Sequence, residues 1–354
     1  MSDNSNWLIT GGAGFLGLHI CNNLAKKKQK VISYDIAKMP ECEKPEGLIE
    51  IVADIRDKQI LKKALRNVDY VVHSAAALAL AKPEVIDSIN AEGTKTVLDA
   101  CIEAGVKRFV YISSTAVYGM PKYHPILEDT ALDPMGHYGI AKAKAEKFIQ
   151  EATGIEWIII RPKSFIGTGR LGIFQLLFDW IESGRKIPVF GNGDNKFQLL
   201  SVEDLTEAIY ISTLKAPSNE VYNLGAKIFG TVNSDVGAML KAANTGSRLV
   251  HFPSKPIKYI LRVLELLHLS PLYRWVYDTA DQESFLSIEK AEKDFGFSPK
   301  DSNQDALIKT YKWYLEEGKE MAKQYGTGHR VAWKQGALGV VDRKSTRLNS
   351  SHNL

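Results

Sequence analysis

Cysteine is scarce: Cys21, Cys42 and Cys101 are all the chain has. An odd, widely spaced trio excludes a disulfide framework and offers no metal-ligand spacing, so a reduced cytoplasmic protein without a structural metal is expected. No apolar run reaches the roughly 18 residues a spanning helix needs, and no signal peptide is evident. Charge of one sign is also lacking. The net charge of +4 is spread out, with no dense basic stripe of the kind that grips nucleic acid. KKKQK at 26–30 reads as the solvated end of a helix, where cations suit the dipole. Internal repeats and low-complexity blocks are absent.

What remains is a rhythm of apolar strands and amphipathic helices. Strands are expected near 5–10, 30–35, 48–53, 69–74, 107–113 and 155–161, with helices near 14–28, 56–67, 83–104 and 138–153. That alternation predicts an α/β fold with a doubly wound parallel sheet. Beyond RPKSFIGTG the rhythm becomes irregular. Helices are expected near 172–184, 203–215, 231–243, 255–268 and 302–324, with short strands near 187–190, 196–201, 221–224 and 248–252. The division that follows is a Rossmann-type domain over 1–161 and a smaller mixed lobe over 162–325, interleaved with the first. A partial C-terminal element over 326–341 would follow.

The first strand runs into GGAGFLGLHI. Gly11 permits a tight turn, Gly14 lets backbone N–H groups approach a pyrophosphate, and Gly17 allows close helix–strand packing. Phe15 and Leu16 open the helix whose positive end faces that pyrophosphate. A Gly-rich turn alone carries little, but Asp35 ends the next strand, where a carboxylate can accept hydrogen bonds from an adenosine ribose. It would repel a 2′-phosphate, which favours NAD over NADP; Lys38 nearby pulls the other way. Asp54, followed by Ile55, ends a third strand and suits either an adenine contact or the N-cap of the next helix. The small residues Ala75 and Ala76 follow a fourth strand and would let a nicotinamide ribose come close. His73 reads as a packed strand residue.

Tyr138 and Lys142 lie four apart at the start of a helical pattern whose apolar face is Ile140, Ala141, Ala145, Phe148 and Ile149. A phenol with a pKa of about 10 is a poor base at neutral pH, and a neighbouring ammonium lowers it. With 14 tyrosines in the chain, roughly one such spacing is expected by chance, so context has to choose. Tyr34/Lys38 begins in a strand, and Pro121 breaks the interval between Tyr118 and Lys122.

TGGAGFLG, Asp35, ADIRD, VVHSAA, NAEGT at 90–94, SSTAVYG, YGIAK, the Arg-Pro pair at 161–162 and IEKAEKDFGFSP together resemble the extended short-chain dehydrogenase/reductase superfamily, the NAD-dependent epimerase/dehydratases, over roughly residues 5–320. The resemblance implies NAD as cofactor and Ser114 as the hydroxyl that holds the substrate oxygen. It makes Tyr138 the acid/base and Lys142 the bridge to the nicotinamide ribose, with Asn90 in a structural and proton-relay role and Pro162 beside the cofactor. A homodimer packed through the helices near 83–104 and 138–153 is implied as well.

The departures bear on the substrate, placed against Thr115, Ser164, Phe165 and Phe197. Dehydratases carry Asp-Glu after the catalytic hydroxyl; here Thr115 and Ala116 stand there, and neither titrates usefully. Nucleotide-sugar epimerases place an Asn and an Arg at the diphosphate, where this chain has Ser164 and Phe197. Lys163, Arg170 or Lys196 could compensate. GNGDNK followed by an apolar residue is more similar to the 3β-hydroxysteroid/sterol dehydrogenase branch. Apolar helices such as PIKYILRVLELLHLSPLYRWVY read as core and dimer face, or as a lipophilic pocket or interfacial helix rimmed by Lys255, Lys258 and Arg262, with peripheral membrane contact. The alternatives to a dehydrogenase are a nucleotide-sugar epimerase with retained NAD, or a non-catalytic NAD-binding protein. The final DRKSTRLNSSHNL (342–354) back-translates to a common sequencing-library adapter, so it is expected to be a read-through artefact.

Overall fold

The computed structural model describes residues 5–79, 81–169, 172–266 and 278–319. Arg170, most of the apolar stretch after Leu266, and the tail from 320 onward lie outside the described residues.

The chain divides into two compact units. The first comprises residues up to Gly167, Gln198–Ile228 and Phe285–Ala306. Its centre is a seven-stranded, all-parallel sheet. In chain order the strands are β1 (Asn6–Thr10), β2 (Lys30–Asp35), β3 (Ile49–Val52), β4 (Tyr70–His73), β5 (Arg108–Ile112), β6 (Glu156–Pro162) and, after the short β7 (Phe165–Ile166), β8 (Lys186–Phe190) and β9 (Leu200–Ser201), the strand β10 (Glu220–Leu224). The spatial order is β10-β6-β5-β4-β1-β2-β3. Strand order therefore reverses beside β1, between β2 and β4, and in such sheets ligands bind off the carboxyl ends at that reversal.

Both sheet faces are covered, which explains why the strands read as near-continuous apolar runs. Trp7, Ile9, Ile158 and Ile160 face α1 (Phe15–Lys26) and α7 (Val202–Lys215), packing with Ile20, Leu24, Leu205 and Ile209. Leu8, Val71, Phe109 and Ile159 face α2 (Lys58–Ala64), α4 (Thr94–Ala104) and α5 (Gly136–Gln150), packing with Leu61, Leu98 and Ala145. The long helix expected over 83–104 is a composite. A short α3 (Pro83–Ile86) passes through a π-helical stretch, Asp87–Gly93, into α4.

One assignment changes. The strand at 221–224, read from the sequence as part of the smaller lobe, is β10 of the large sheet. Tyr222 and Leu224 pack into the core on one face while Val221 meets the other, so both faces need cover that the large sheet provides. In α5 the buried stripe is Ala141, Ala145 and Ile149, whereas Ile140 is 52% exposed and leaves the expected apolar face.

The second unit takes Thr168–Phe197, Phe229–Ser284 and the chain from Leu307. Here β8 pairs in parallel with β11 (Arg248–Phe252) beside α6 (Gly172–Glu182) and α8 (Val232–Ala243). Phe178 is buried against the rings of Tyr311 and Tyr314. In α9 (Ser254–Leu266) the basic rim is not free. Lys258 pairs with Asp281 at 2.5 Å and Arg262 with Asp278 at 3.0 Å, so two of its three cations are neutralised locally.

Candidate active site

Local chemistry builds the nucleotide end. Gly11 sits at φ +70°, and a side chain there would strike the backbone of Ala75. A Cβ on Gly17 would stand 2.0 Å from the Gly11 carbonyl oxygen, so only glycine lets α1 start this close to the turn. Gly14 caps α1 without a side-chain acceptor, which leaves no side-chain oxygen from the cap over the helix's positive end. Phe15 and Leu16 are buried in its first turn. Asp35 lies at the end of β2. One carboxylate oxygen accepts the Ala13 N–H at 3.1 Å and the other the Ala37 N–H at 2.9 Å, tying this carboxylate to the Gly-rich turn. These are features that suit a dinucleotide: a glycine cradle, a helix N-terminus capped by glycine and a fixed carboxylate.

Asp54 does not cap α2; Asp57 does, accepting the N–H groups of Gln59 and Ile60. Asp54 instead holds Arg56 through both its oxygens, at 2.9 and 2.5 Å, and that bonding lowers its carboxyl pKa. Arg56 also reaches the hydroxyl of Ser88. Ile55 between them is buried. Past β4, the Ala75 N–H donates to the Thr10 hydroxyl. Asn90, wholly buried, accepts the Ala77 N–H at 2.7 Å and donates to the Ala77 carbonyl at 3.0 Å. Its amide clamps the loop that carries Ala75 and Ala76.

At the end of β5, Ser114 N-caps a 3-10 turn, Thr115–Tyr118. Its oxygen accepts the Ala116 N–H at 3.2 Å, which leaves the O–H to donate elsewhere. The first turn of α5 presses on this segment, because a Cβ on Gly139 would meet the Ala116 carbonyl at 2.7 Å. Tyr138, half-buried, is thereby brought to the segment that carries Ser114. One turn on, Lys142 is buried; its Nζ donates to the Ile112 carbonyl at 2.7 Å and lies 5.8 Å from the Tyr138 ring centre. Burial lowers its pKa from 10.5 to about 7, opposed by the charge of Glu146.

Glu146 was not singled out by the sequence reading, although it repeats the four-residue spacing after Lys142. It accepts Ser113 Oγ and pairs bidentately with Arg161, and Arg161 in turn donates to Tyr118 Oη at 2.7 Å. Tyr118, set aside above because Pro121 interrupts its spacing to Lys122, is thus a structural link, its O–H donating a hydrogen bond to Asn223 Oδ1. Tyr34, likewise set aside, donates to the Asp54 carbonyl.

Pro162 closes β6. Lys163 beside it is buried, which pushes its ammonium down to about 8. Ser164 is exposed, and Phe165 stacks on Phe15 at 5.9 Å with nearly parallel rings. Thr115 is half-buried. Phe197 and Lys196 belong to the second unit, where their backbones bridge Ser284 and Thr231.

A doubly wound parallel sheet with a glycine cradle at the end of β1 and a carboxylate at the end of β2 is the architecture of a dinucleotide-binding protein. The NAD dependent epimerase/dehydratase family model matches residues 7–225, and the chain belongs to that family. It is an NAD-dependent enzyme of the extended short-chain dehydrogenase/reductase type. The Sinorhizobium fredii protein y4nG is 34% identical over 338 residues, covering 94% of this chain and 85% of that one. A UDP-glucose 4-epimerase of Lactobacillus helveticus is 31% identical over 62% of this chain and 76% of its own length. The structure of Epimerase Mth375 from Methanothermobacter thermautotrophicus shares the fold at a TM-score of 0.76 and 24% identity, covering 91% of this chain and 95% of that chain. Among the described residues no helix is long and apolar enough to cross a membrane.

Proposed function

We propose that this enzyme moves a hydride between nicotinamide C4 and a secondary alcohol or ketone carbon, with Tyr138 as the acid/base. The observation that carries the reading is the buried Lys142, anchored on the Ile112 carbonyl one turn from Tyr138. NAD, when bound, supplies the hydride acceptor. Lys142 would favour the Tyr138 phenolate electrostatically and meet the nicotinamide ribose hydroxyls. Ser114 donates its O–H to the substrate oxygen, and Tyr138 takes that oxygen's proton as the C–H bond delivers hydride. Asn90 keeps the Ala75–Ala77 loop in place. Thr115 and Ala116 supply no second acid or base, which argues against water elimination.

For the substrate, Ser164 and Phe197 in place of Asn and Arg, with Phe165 stacked on Phe15, favour a lipophilic alcohol of the sterol class. A second reading, a nucleotide-sugar epimerase that retains NAD, is favoured by the Lactobacillus helveticus relative. We further infer a cytoplasmic homodimer packed through the composite helix over 83–104 and α5, supported by the exposed Val85 and Ile140 on these two elements.

A panel of sterols, nucleotide sugars and aliphatic hydroxy compounds, scored for NADH release and product stereochemistry, separates the substrate readings. Tyr138→Phe tests the mechanism: NAD binding is retained while turnover is lost. Unchanged turnover of every substrate found would remove Tyr138 as the base and leave a non-catalytic NAD-binding role open. Light scattering on the eluting protein reads the oligomer.

A further inference from the structure

The proposed chemistry needs Lys142 to carry its charge, yet the residue is shut away from water. Something on the protein must favour the ammonium there. Ile112 contributes one carbonyl. The other close partner is the ring of Tyr111, one residue earlier on β5, whose centre lies 4.7 Å from Lys142 Nζ. That is nearer than the ring of Tyr138, and within the range at which an aromatic face attracts a cation.

The ring is held firmly. Tyr111 is fully buried, and its ring stacks on His73 at 5.8 Å and 21°. His73 stacks in turn on Phe109, and its two ring nitrogens are hydrogen-bonded to the hydroxyls of Thr10, at 2.6 Å, and Thr94, at 2.9 Å. Burial, reinforced by the charge of Lys142, pushes His73 down to about 3, so no second cation competes beside the ring. The titratable groups around Lys142 are Tyr138 and Glu146 on its own helix, Tyr111 on β5 and His73 on β4. Glu146 shares its negative charge with Arg161 of β6. The Tyr111 face is thus the aromatic surface nearest the ammonium and the one fixed by stacking.

We propose that Tyr111 is a positioning residue for the hydride-transfer reaction, its ring face forming the floor that keeps Lys142 charged and seated beside Tyr138. This rests on the acid/base reading of Tyr138. On that reading the charge of Lys142, 5.8 Å from the Tyr138 ring centre, bears on the phenol. Weakening the floor makes Lys142 lose its proton at lower pH, so the cation is gone when Tyr138 ionises, and the phenol's apparent pKa rises.

Ultraviolet titration of phenolate on the NAD-loaded protein tests this without a substrate. Subtracting the curve of Tyr138→Phe from wild type isolates Tyr138, and the same subtraction is made in Tyr111→Phe and Tyr111→Leu backgrounds. Tyr111→Phe is expected to leave the Tyr138 transition in place, and Tyr111→Leu to move it up by about one pH unit. A 3,4,5-trifluorophenylalanine at position 111 keeps the ring's shape but depletes its face, and should shift the transition as Leu does. If Tyr111→Leu does not fold, the phenylalanine and trifluorophenylalanine proteins decide alone. A merely structural role predicts altered melting temperatures with the transition unmoved, and that result overturns the proposal. A wild type with no Tyr138 transition below the ordinary phenol range removes the acid/base reading, and this proposal with it.

Discussion

Arg161 and Glu146 form a bidentate ion pair with almost no solvent exposure: Nη2 lies 2.6 Å from Oε2 and Nε 3.0 Å from Oε1. Their bond ties β6 to the helix that carries Tyr138 and Lys142. Buried pairs of this kind add little net stability when complete, but removing one partner strands the other charge. Arg161→Met is therefore expected to destabilise the protein by about 3–5 kcal/mol in chemical denaturation. Joining it to Glu146→Leu should recover much of that loss. If the double variant is as unstable as the single one, the cost is packing and not a stranded carboxylate.

The pair also marks where reading by sequence stops. Gly11, Gly14 and Gly17 are legible because a strand, a turn and a helix N-terminus follow one another along the chain, so spacing alone carries the geometry. Tyr138 and Lys142 are legible because helical periodicity places residues four apart on one face. Glu146 shares that spacing, but Tyr111 reaches Lys142, and Arg161 reaches Glu146, from two neighbouring strands, and no local pattern reports which side chains a sheet will bring beneath a helix. The same limit explains β10, whose place in the large sheet depends on cover for both its faces. It explains Lys258 and Arg262 too, which look like a free basic rim until Asp281 and Asp278 arrive from further along the chain.

Ser114 gives a sharper test of transition-state stabilisation. Its oxygen is already engaged by the Ala116 N–H, so the proposed role uses only its remaining O–H. Ser114→Ala removes that donor and a weak cap of the 3-10 turn. Once a substrate is in hand, kcat should fall by roughly a hundredfold with NAD affinity unchanged, as for loss of one preorganised donor to a developing charge. A fall in NAD affinity of similar size would place the effect in the loop and not in the chemistry.

Asp35 should govern cofactor choice. Its carboxylate is fixed by the Ala13 and Ala37 N–H groups beside the Gly-rich turn, and we propose that it meets the adenosine ribose there. Asp35→Ala removes an ionised acceptor and the repulsion that a 2′-phosphate would meet. Titration calorimetry is expected to show NAD binding weakened by about tenfold or more, the worth of one charge-assisted hydrogen bond, while NADP binding strengthens. Parallel losses for both nucleotides would mean that Asp35 serves only to shape the turn.

Lys142 should make the NAD-free protein's stability depend on pH in a predictable direction. Unfolded, its amine titrates near its ordinary value of 10.5; folded, burial brings it to about 7. Between those two pH values the unfolded chain holds a proton that the folded chain has released, so stability rises with pH across the window. Below about pH 7 both states are protonated, and the full cost of the buried ammonium is present. Lys142→Met has no such group. The melting temperature of wild type minus that of Lys142→Met is therefore expected to be lowest at and below neutral pH and to climb steadily toward pH 10. A difference that is flat with pH would show that Lys142 keeps an ordinary ammonium in the folded state, stabilised there without help from the cofactor. The Ile112 carbonyl and the Tyr111 ring would then offset the burial of the charge before any cofactor arrives.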